Sequence, residues 1–187
     1  MPKKEIRVIG IDDSPFDKFK DKDVLVVGVI MRGGLYVDGI LSAKARVDGS
    51  DATKNIVKMI NRCKFKPQLQ CIFLNGIAVG GFNVIDISEL NKKTKLPVIV
   101  VIRKNPDIKK IKSTLIRIRQ KNKIKLVESA GKVIKVNGIF IQLIGINMES
   151  AREILKIVCT RSLLPEPLRL AHIIAAGIVK GESSGGA

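Results

Sequence analysis

Val24 to Met31 is apolar almost throughout, and Gly33-Gly34 follows it before another strand-like stretch runs from Leu35 to about Val47. Two adjacent glycines allow the positive φ values of a two-residue hairpin, so the flanking segments are expected to lie antiparallel. Glu5 to Ile11 precedes them as a first strand, which makes the start of the chain an antiparallel meander. Beyond it, helix and strand alternate. Ser50 or Asp51 can cap a helix that keeps Ile56, Val57, Met59 and Ile60 on one face, and Cys71 to Leu74 then reads as a buried strand ending at Asn75-Gly76. Val84 to Asn91 reads as a short helix, Val98 to Ile102 as a strand, and Asn105-Pro106-Asp107 as the cap of a helix running to about Lys121. Val127 to Ile144 is expected to hold two short strands around the Asn137-Gly138 turn, and helices over Glu149 to Cys159 and Pro167 to Val179 close the chain.

Three antiparallel strands followed by helices alternating with parallel strands are the element order of an α/β, ribonuclease H-like fold with a mixed sheet and flanking helices. That architecture places a site at the carboxyl ends of the first and fourth strands. No Pro/Gly/Ser-rich linker divides the 187 residues, so 1–187 reads as one domain, with 1–4 and 182–187 as flexible tips. Only 4% of residues are aromatic and none is Trp, so the core must be built from Ile, Val and Leu. The apolar run from Leu170 to Val179 is about half the ~20 residues a bilayer requires, and Met1 to Lys4 carries no apolar signal core. A cytoplasmic protein without membrane contact is expected. Cys63, Cys71 and Cys159 are odd in number and widely spaced, which fits reduced core residues rather than a disulfide framework or metal clip.

The formal net charge is +17, from 34 Lys and Arg against 17 acids. A Lys-rich thermophilic bias would raise Glu alongside Lys, whereas here only the cations are in excess, which points to a polyanionic partner, nucleic acid first. The densest block runs from Arg103 to Lys135, where Lys109, Lys110, Lys112, Arg117, Arg119, Lys121, Lys123 and Lys125 face only Asp107 and Glu128. Ile108, Ile111, Leu115 and Ile118 form the buried stripe of this segment and leave its cations on the solvent side, either as a phosphate track or as a solvated face.

Candidate chemistry sits at both ends. Val8 to Ile11 is a buried strand that stops on Asp12 and Asp13, and two adjacent carboxylates suit a divalent cation or, more simply, the Ser14-Pro15 turn. Asp51 stands where a helix N-cap would and is equally a candidate ligand. Leu164-Pro165-Glu166-Pro167-Leu168-Arg169-Leu170-Ala171-His172 brings the sole histidine into a proline-led helix, with Arg169 one turn earlier on the same face and able to meet a phosphate. Without that context His172 would read as a core histidine. Tyr36, the sole tyrosine, is either strand packing or a group that stacks on an unpaired base.

The 164–172 segment resembles the closing motif of endonuclease V, LPEP followed by any residue and RLAH. Gly10-Ile11-Asp12 matches that family's first-strand aspartate, Tyr36-Val37-Asp38-Gly39-Ile40-Leu41 resembles its YxPG strand, and Leu74-Asn75-Gly76 sits at its VDG motif. Gly80-Gly81-Phe82-Asn83-Val84-Ile85-Asp86-Ile87, with Gly49-Ser50-Asp51-Ala52-Thr53, is closer still to an archaeal sister family, domain of unknown function family 99.

The resemblance implies a divalent-metal-dependent endonuclease of DNA repair that recognises a deaminated base, uracil or hypoxanthine, with Mg²⁺ or Mn²⁺ as cofactor. It maps the first aspartate to Asp12 and the C-terminal ligand to His172, while the family's glutamate and second aspartate fall on Ala45 and Asn75. Asp13 and Asp51 are the implied replacement ligands, with Asn75 as an amide ligand and Asp48 and Asp86 as further available acids. DNA is the expected partner, with RNA the alternative. A binder that kept the fold without catalysis is the competing class, for which Ala45 and Asn75 are the evidence.

Overall fold

The computed structural model describes residues 5–183; of the expected tips at 1–4 and 182–187, residues 1–4 and 184–187 lie outside the described residues. Seven strands form one sheet in the order β3-β2-β1-β4-β7-β9-β8. They are β1 (Arg7–Asp13), β2 (Asp23–Arg32), β3 (Tyr36–Arg46), β4 (Cys71–Asn75), β7 (Val98–Ile102), β8 (Ile134–Val136) and β9 (Ile139–Ile144). β5 (Ala78–Val79) and β6 (Asn83–Val84) make a separate small ribbon. β1, β2 and β3 are antiparallel, whereas β4 runs parallel to both β1 and β7. The meander and the switch to parallel pairing match the expected fold class.

Period-two alternation sends side chains of each central strand to two buried layers. Ile9, Ile11, Ile72, Leu74, Val98 and Val100 face α1 (Ala52–Asn61) and α2 (Ile87–Thr94) through Ile56, Ile60 and Leu90. Val8, Phe73, Ile99 and Val101 face α5 (Met148–Val158) and α6 (Glu166–Lys180) through Ala151, Leu155 and Leu168. Val27, Val29 and Met31 pack on Ala171 and Ala175, so α6 lies across β1 and β2 and leaves that side of β3 bare. Among the described residues no helix is long and apolar enough to cross a membrane.

Several local expectations are corrected. The hairpin after β2 has three loop residues, Gly33, Gly34 and Leu35, because Arg32 pairs with Tyr36. A bulge between Ile30 and Met31 then leaves Asp38 as the extra residue, where it accepts from Arg7 Nε at 2.7 Å and Arg32 Nε at 3.0 Å. Val84 is a β6 residue, and the helix expected there starts only at Ile87, capped by Asp86 accepting from Glu89 N. α3 (Ile108–Arg117) stops short of Lys121 because Arg119 adopts a φ of 60°. Val127 belongs to α4 (Ile124–Ser129), not to a strand, because it packs with Leu115 and Val84 from a helical face. The Asn137-Gly138 turn is as expected, with φ of 47° and 87° between β8 and β9.

Candidate functional site

The site is set by a close approach of two backbones. A Cβ at Gly10 of β1 would lie 2.4 Å from the Pro167 carbonyl carbon and 2.5 Å from Leu168 N, so only glycine lets the first turn of α6 rest on the strand. From that crossing His172 lies five residues along the helix, about 7.5 Å, and Asp12 two residues along the strand, about 6.6 Å. The two therefore meet, with His172 Nδ1 at 2.9 Å from Asp12 Oδ2. An ionised carboxylate can only accept, which assigns the Nδ1 proton to the ring.

Asp12 is 3% exposed and its oxygens take two further hydrogen bonds, from Asp13 N at 2.9 Å and Asn75 Nδ2 at 3.0 Å. Burial pushes its carboxyl above the ordinary range, and the Asn75, Asp13 and His172 hydrogen bonds pull against that rise. Asp13 points from the next position of the strand and accepts from Gly80 N at 2.8 Å. Burial raises its carboxyl to about 6 against that hydrogen bond, and the charge of Asp12 adds to the rise. Two neighbouring carboxylates thus share a poorly solvated strand end.

The loop that serves Asp13 is held from behind. Asp48 N donates to Gly80 O at 2.8 Å, and Asp48 Oδ1 accepts from Phe82 N at 2.8 Å. Lys123 is 3% exposed, and its ammonium donates to the carbonyls of Asp48, Gly49 and Phe82. It is removed from the expected phosphate track: it is a buried pin that spans the 48–49 and 80–82 turns. Burial lowers its pKa while Asp48 and Asp51 oppose the shift.

Asp51 occupies the N-cap position of α1, yet its side chain does not cap the helix. Its carboxylate instead accepts from Asn83 Nδ2 at 2.7 Å, Arg46 N at 3.1 Å and Asn55 Nδ2 at 3.1 Å. Burial would raise it, but the Asn83 and Arg46 hydrogen bonds hold it below the usual carboxylate range. No hydrogen bond joins it to Asp12 or Asp13, and among the described residues no three His, Cys, Asp or Glu side chains gather as a ready metal cage. Ala45 is 1% exposed and packs in the apolar core, so the resemblance's glutamate position holds a buried methyl in place of a carboxylate.

Arg169 departs from its expected role. It forms a fork with Glu166, Nε and Nη2 lying 3.0 Å and 2.8 Å from Oε2, and Glu166 is 3% exposed. Glu166, Lys123 and Asn83 were not identifiable from sequence, since a single Glu, Lys or Asn within a motif gives no sign of burial. Lys112 pairs with Glu128 at 2.6 Å, while Lys109, Lys110, Arg117 and Arg119 are exposed. Tyr36 is 57% exposed at the start of β3, with the Arg32 guanidinium over its ring at 5.5 Å, so it is not core packing.

Residues 4–179 match the family described as endonuclease dU. The chain belongs to that family. A UPF0215 protein of Methanothermobacter thermautotrophicus is 48% identical over 99% of this chain and 93% of its own length. A crystal structure of a protein of unknown function from Archaeoglobus fulgidus, 39% identical, superposes with a TM-score of 0.87 over 92% of this chain and 98% of that one. At 17% identity, the fold is shared with Ciona intestinalis endonuclease V, solved with a 24mer DNA containing an inosine followed by a ribo-adenosine. There the TM-score is 0.57 over 89% of this chain and 83% of that chain. The resemblance to an archaeal endonuclease V-like family and the ribonuclease H-like fold both hold.

Proposed function

We propose that the protein is a divalent-metal-dependent endonuclease that cuts DNA at a deaminated base, uracil or hypoxanthine. The observation that carries this reading is the pair Asp12 and Asp13 at the buried end of β1, with His172 fixed on Asp12 by a helix whose motif resembles endonuclease V. Family membership supports a nuclease, and the excess of cations supports a nucleic-acid substrate.

The donor set fits Mg²⁺ or Mn²⁺, because such ions are commonly held by one or two carboxylates and completed by water and substrate phosphate. Asp12 and Asp13 would be the anionic ligands, Asn75 would offer its amide oxygen after rotation, and Asp51 would act outside this pair unless its loop moved. A bound cation would polarise the phosphodiester and lower the pKa of an attacking water. Asp12 orients the His172 ring, whose Nε2 has no protein partner among the described residues and is free to hold a water or phosphate oxygen. Exposed Tyr36 would stack on a displaced base, and Lys109, Lys110, Arg117 and Arg119 would meet phosphates, a role open to Lys112 and Arg169 only on leaving their acidic partners.

The competing reading, a nucleic-acid binder without catalysis, is favoured by Ala45 and by Asn75, which donates to Asp12 instead of adding a charge. Oligonucleotides with one uracil, one hypoxanthine or no lesion, incubated with Mg²⁺, Mn²⁺ or EDTA, separate the two. Metal-dependent cutting confined to lesion strands is the expected result. Binding without cutting in either metal would establish the binder.

A further inference from the structure

We infer that the groove between β3 and α1 is a track for the phosphates of the single strand that leads away from the Asp12 and Asp13 site. This rests on the reading that the substrate is nucleic acid. β3 is an edge strand, and beside it lies a cleft of about 490 Å³ lined by Leu41, Ala43 and Met59, by the cationic Lys58 and Arg62, and at Lys44 by the strand whose carbonyl meets Asn55. Lys54, Lys58 and Arg62 recur every four residues, so they form one cationic stripe with a rise of about 6 Å between neighbours. Like charges at this spacing repel, and α1 carries no acid to offset them. Among the described residues neither these three nor Lys44 forms a salt bridge, unlike Lys112 on α3. An anionic partner accounts for a pattern that costs the isolated helix stability.

Two features choose the occupant. An added protein strand would need the free edge of β3, but Asn55 Nδ2 already donates to Lys44 O and an exposed Lys44 further blocks pairing. A nucleic-acid strand instead needs cations for its phosphates and an apolar floor for its sugars and bases, which this cleft offers. Its course also leads to the site. Lys44 pairs with Leu25, whose carbonyl accepts from Ser14 N, so the Lys44 end of the cleft is level with the strand end that carries Asp13, and the cleft then follows α1.

The test is fluorescence anisotropy of a labelled single-stranded oligonucleotide without divalent cation, so that no strand is cut, over a series of salt concentrations. The Lys58→Gln/Arg62→Gln variant should bind more weakly and lose about 1.4 from the slope of log K against log salt, at about 0.7 per lost single-strand contact. Lys156→Gln/Lys180→Gln removes the same charge elsewhere and should keep the wild-type slope. An unchanged slope for the groove variant, or equal losses in both variants, overturns the track. So does a groove variant whose main change is in sedimentation, which would make the cleft a contact between copies of the chain. Failure of the nuclease reading looks different: groove-dependent binding with no cleavage in metal leaves the track standing, whereas a wild type that binds no oligonucleotide ends both.

Discussion

His172 Nδ1 lies 2.9 Å from Asp12 Oδ2, a contact between residues 160 apart in sequence. It exists because β1 and α6 touch backbone to backbone at Gly10, and it uses one ring nitrogen while leaving the other for substrate or water. Asp12 is therefore both the candidate ligand and the group that orients its neighbour. Asp12→Asn should abolish metal-dependent cleavage while leaving oligonucleotide binding intact or slightly stronger, since it removes a negative charge near the phosphate. Cleavage of lesion DNA at the wild-type rate would reduce Asp12 to a structural residue.

Gly10→Ala tests the crossing itself. The new methyl would meet main-chain atoms of Pro167 and Leu168 at 2.4 to 2.7 Å, and those atoms belong to a helix start that cannot rotate away as a side chain would. Overpacking of this kind costs about 1–3 kcal/mol, and the shift of α6 would also part His172 from Asp12. Denaturant unfolding should show the lost stability, and cleavage should fall further than the unfolded fraction explains. A variant of wild-type stability would place the crossing elsewhere.

The acidity of Asp13 predicts how stability follows pH. Between the ordinary value of 3.8 and about 6, the folded chain holds a proton that the unfolded chain has released, so stability falls as pH rises through that window. The loss amounts to about 3 kcal/mol at neutral pH. Asp38 and Asp51 are held low and act in the opposite sense, losing their contribution only below about pH 3.8. Without divalent cation the melting midpoint should drop between about pH 4 and 6, Mg²⁺ or Mn²⁺ should raise it at pH 7, and Asp13→Asn should flatten both effects. No response to either cation would count against the carboxylate pair as ligands.

Much of this was readable in the chain. The glycine pair, the apolar runs and the spacing of Ile56 and Ile60 place strands and helices correctly because they depend on local periodicity. Motifs at the two ends single out Asp12 and His172, and the fold brings these two side chains into contact. What could not be read depends on contacts across the fold: the fork between Glu166 and Arg169, the bulge that presents Asp38, and the burial of Lys123 beneath turns more than 40 residues away. Charge counting puts Lys123 on the solvent side and helical spacing offers Arg169 to a phosphate, because neither signal carries information about partners.

Lys123→Met should expose the consequence of that burial. Its loss leaves the carbonyls of Gly49 and Phe82 without their donor, while Asp48 O keeps the hydrogen bond from Gln120 Nε2, at a cost of roughly 2–3 kcal/mol. The salt slope of oligonucleotide binding should stay at the wild-type value, because a buried ammonium meets no phosphate, whereas Lys109→Gln/Lys110→Gln should lower it. A lower slope for Lys123→Met with unchanged stability would return this residue to the binding surface.

Returning the charges that the resemblance lacks has unequal prospects at the two positions. Ala45→Glu would place a carboxylate among the apolar side chains of the core beside Val24, and the variant should be severely destabilised. Asn75→Asp is different, because position 75 ends β4 beside Asp12 and is only half-buried. There it exchanges a donated hydrogen bond for a third carboxylate next to Asp12 and Asp13, which must repel in the absence of a cation and attract one when it is present. The metal-free variant should melt below the wild type, the gain in melting midpoint on adding Mn²⁺ should exceed the wild-type gain, and cleavage should rise if affinity for the ion limits it. If Asn75→Asp loses stability and gains nothing from Mn²⁺, the end of β1 is not where this protein holds a metal.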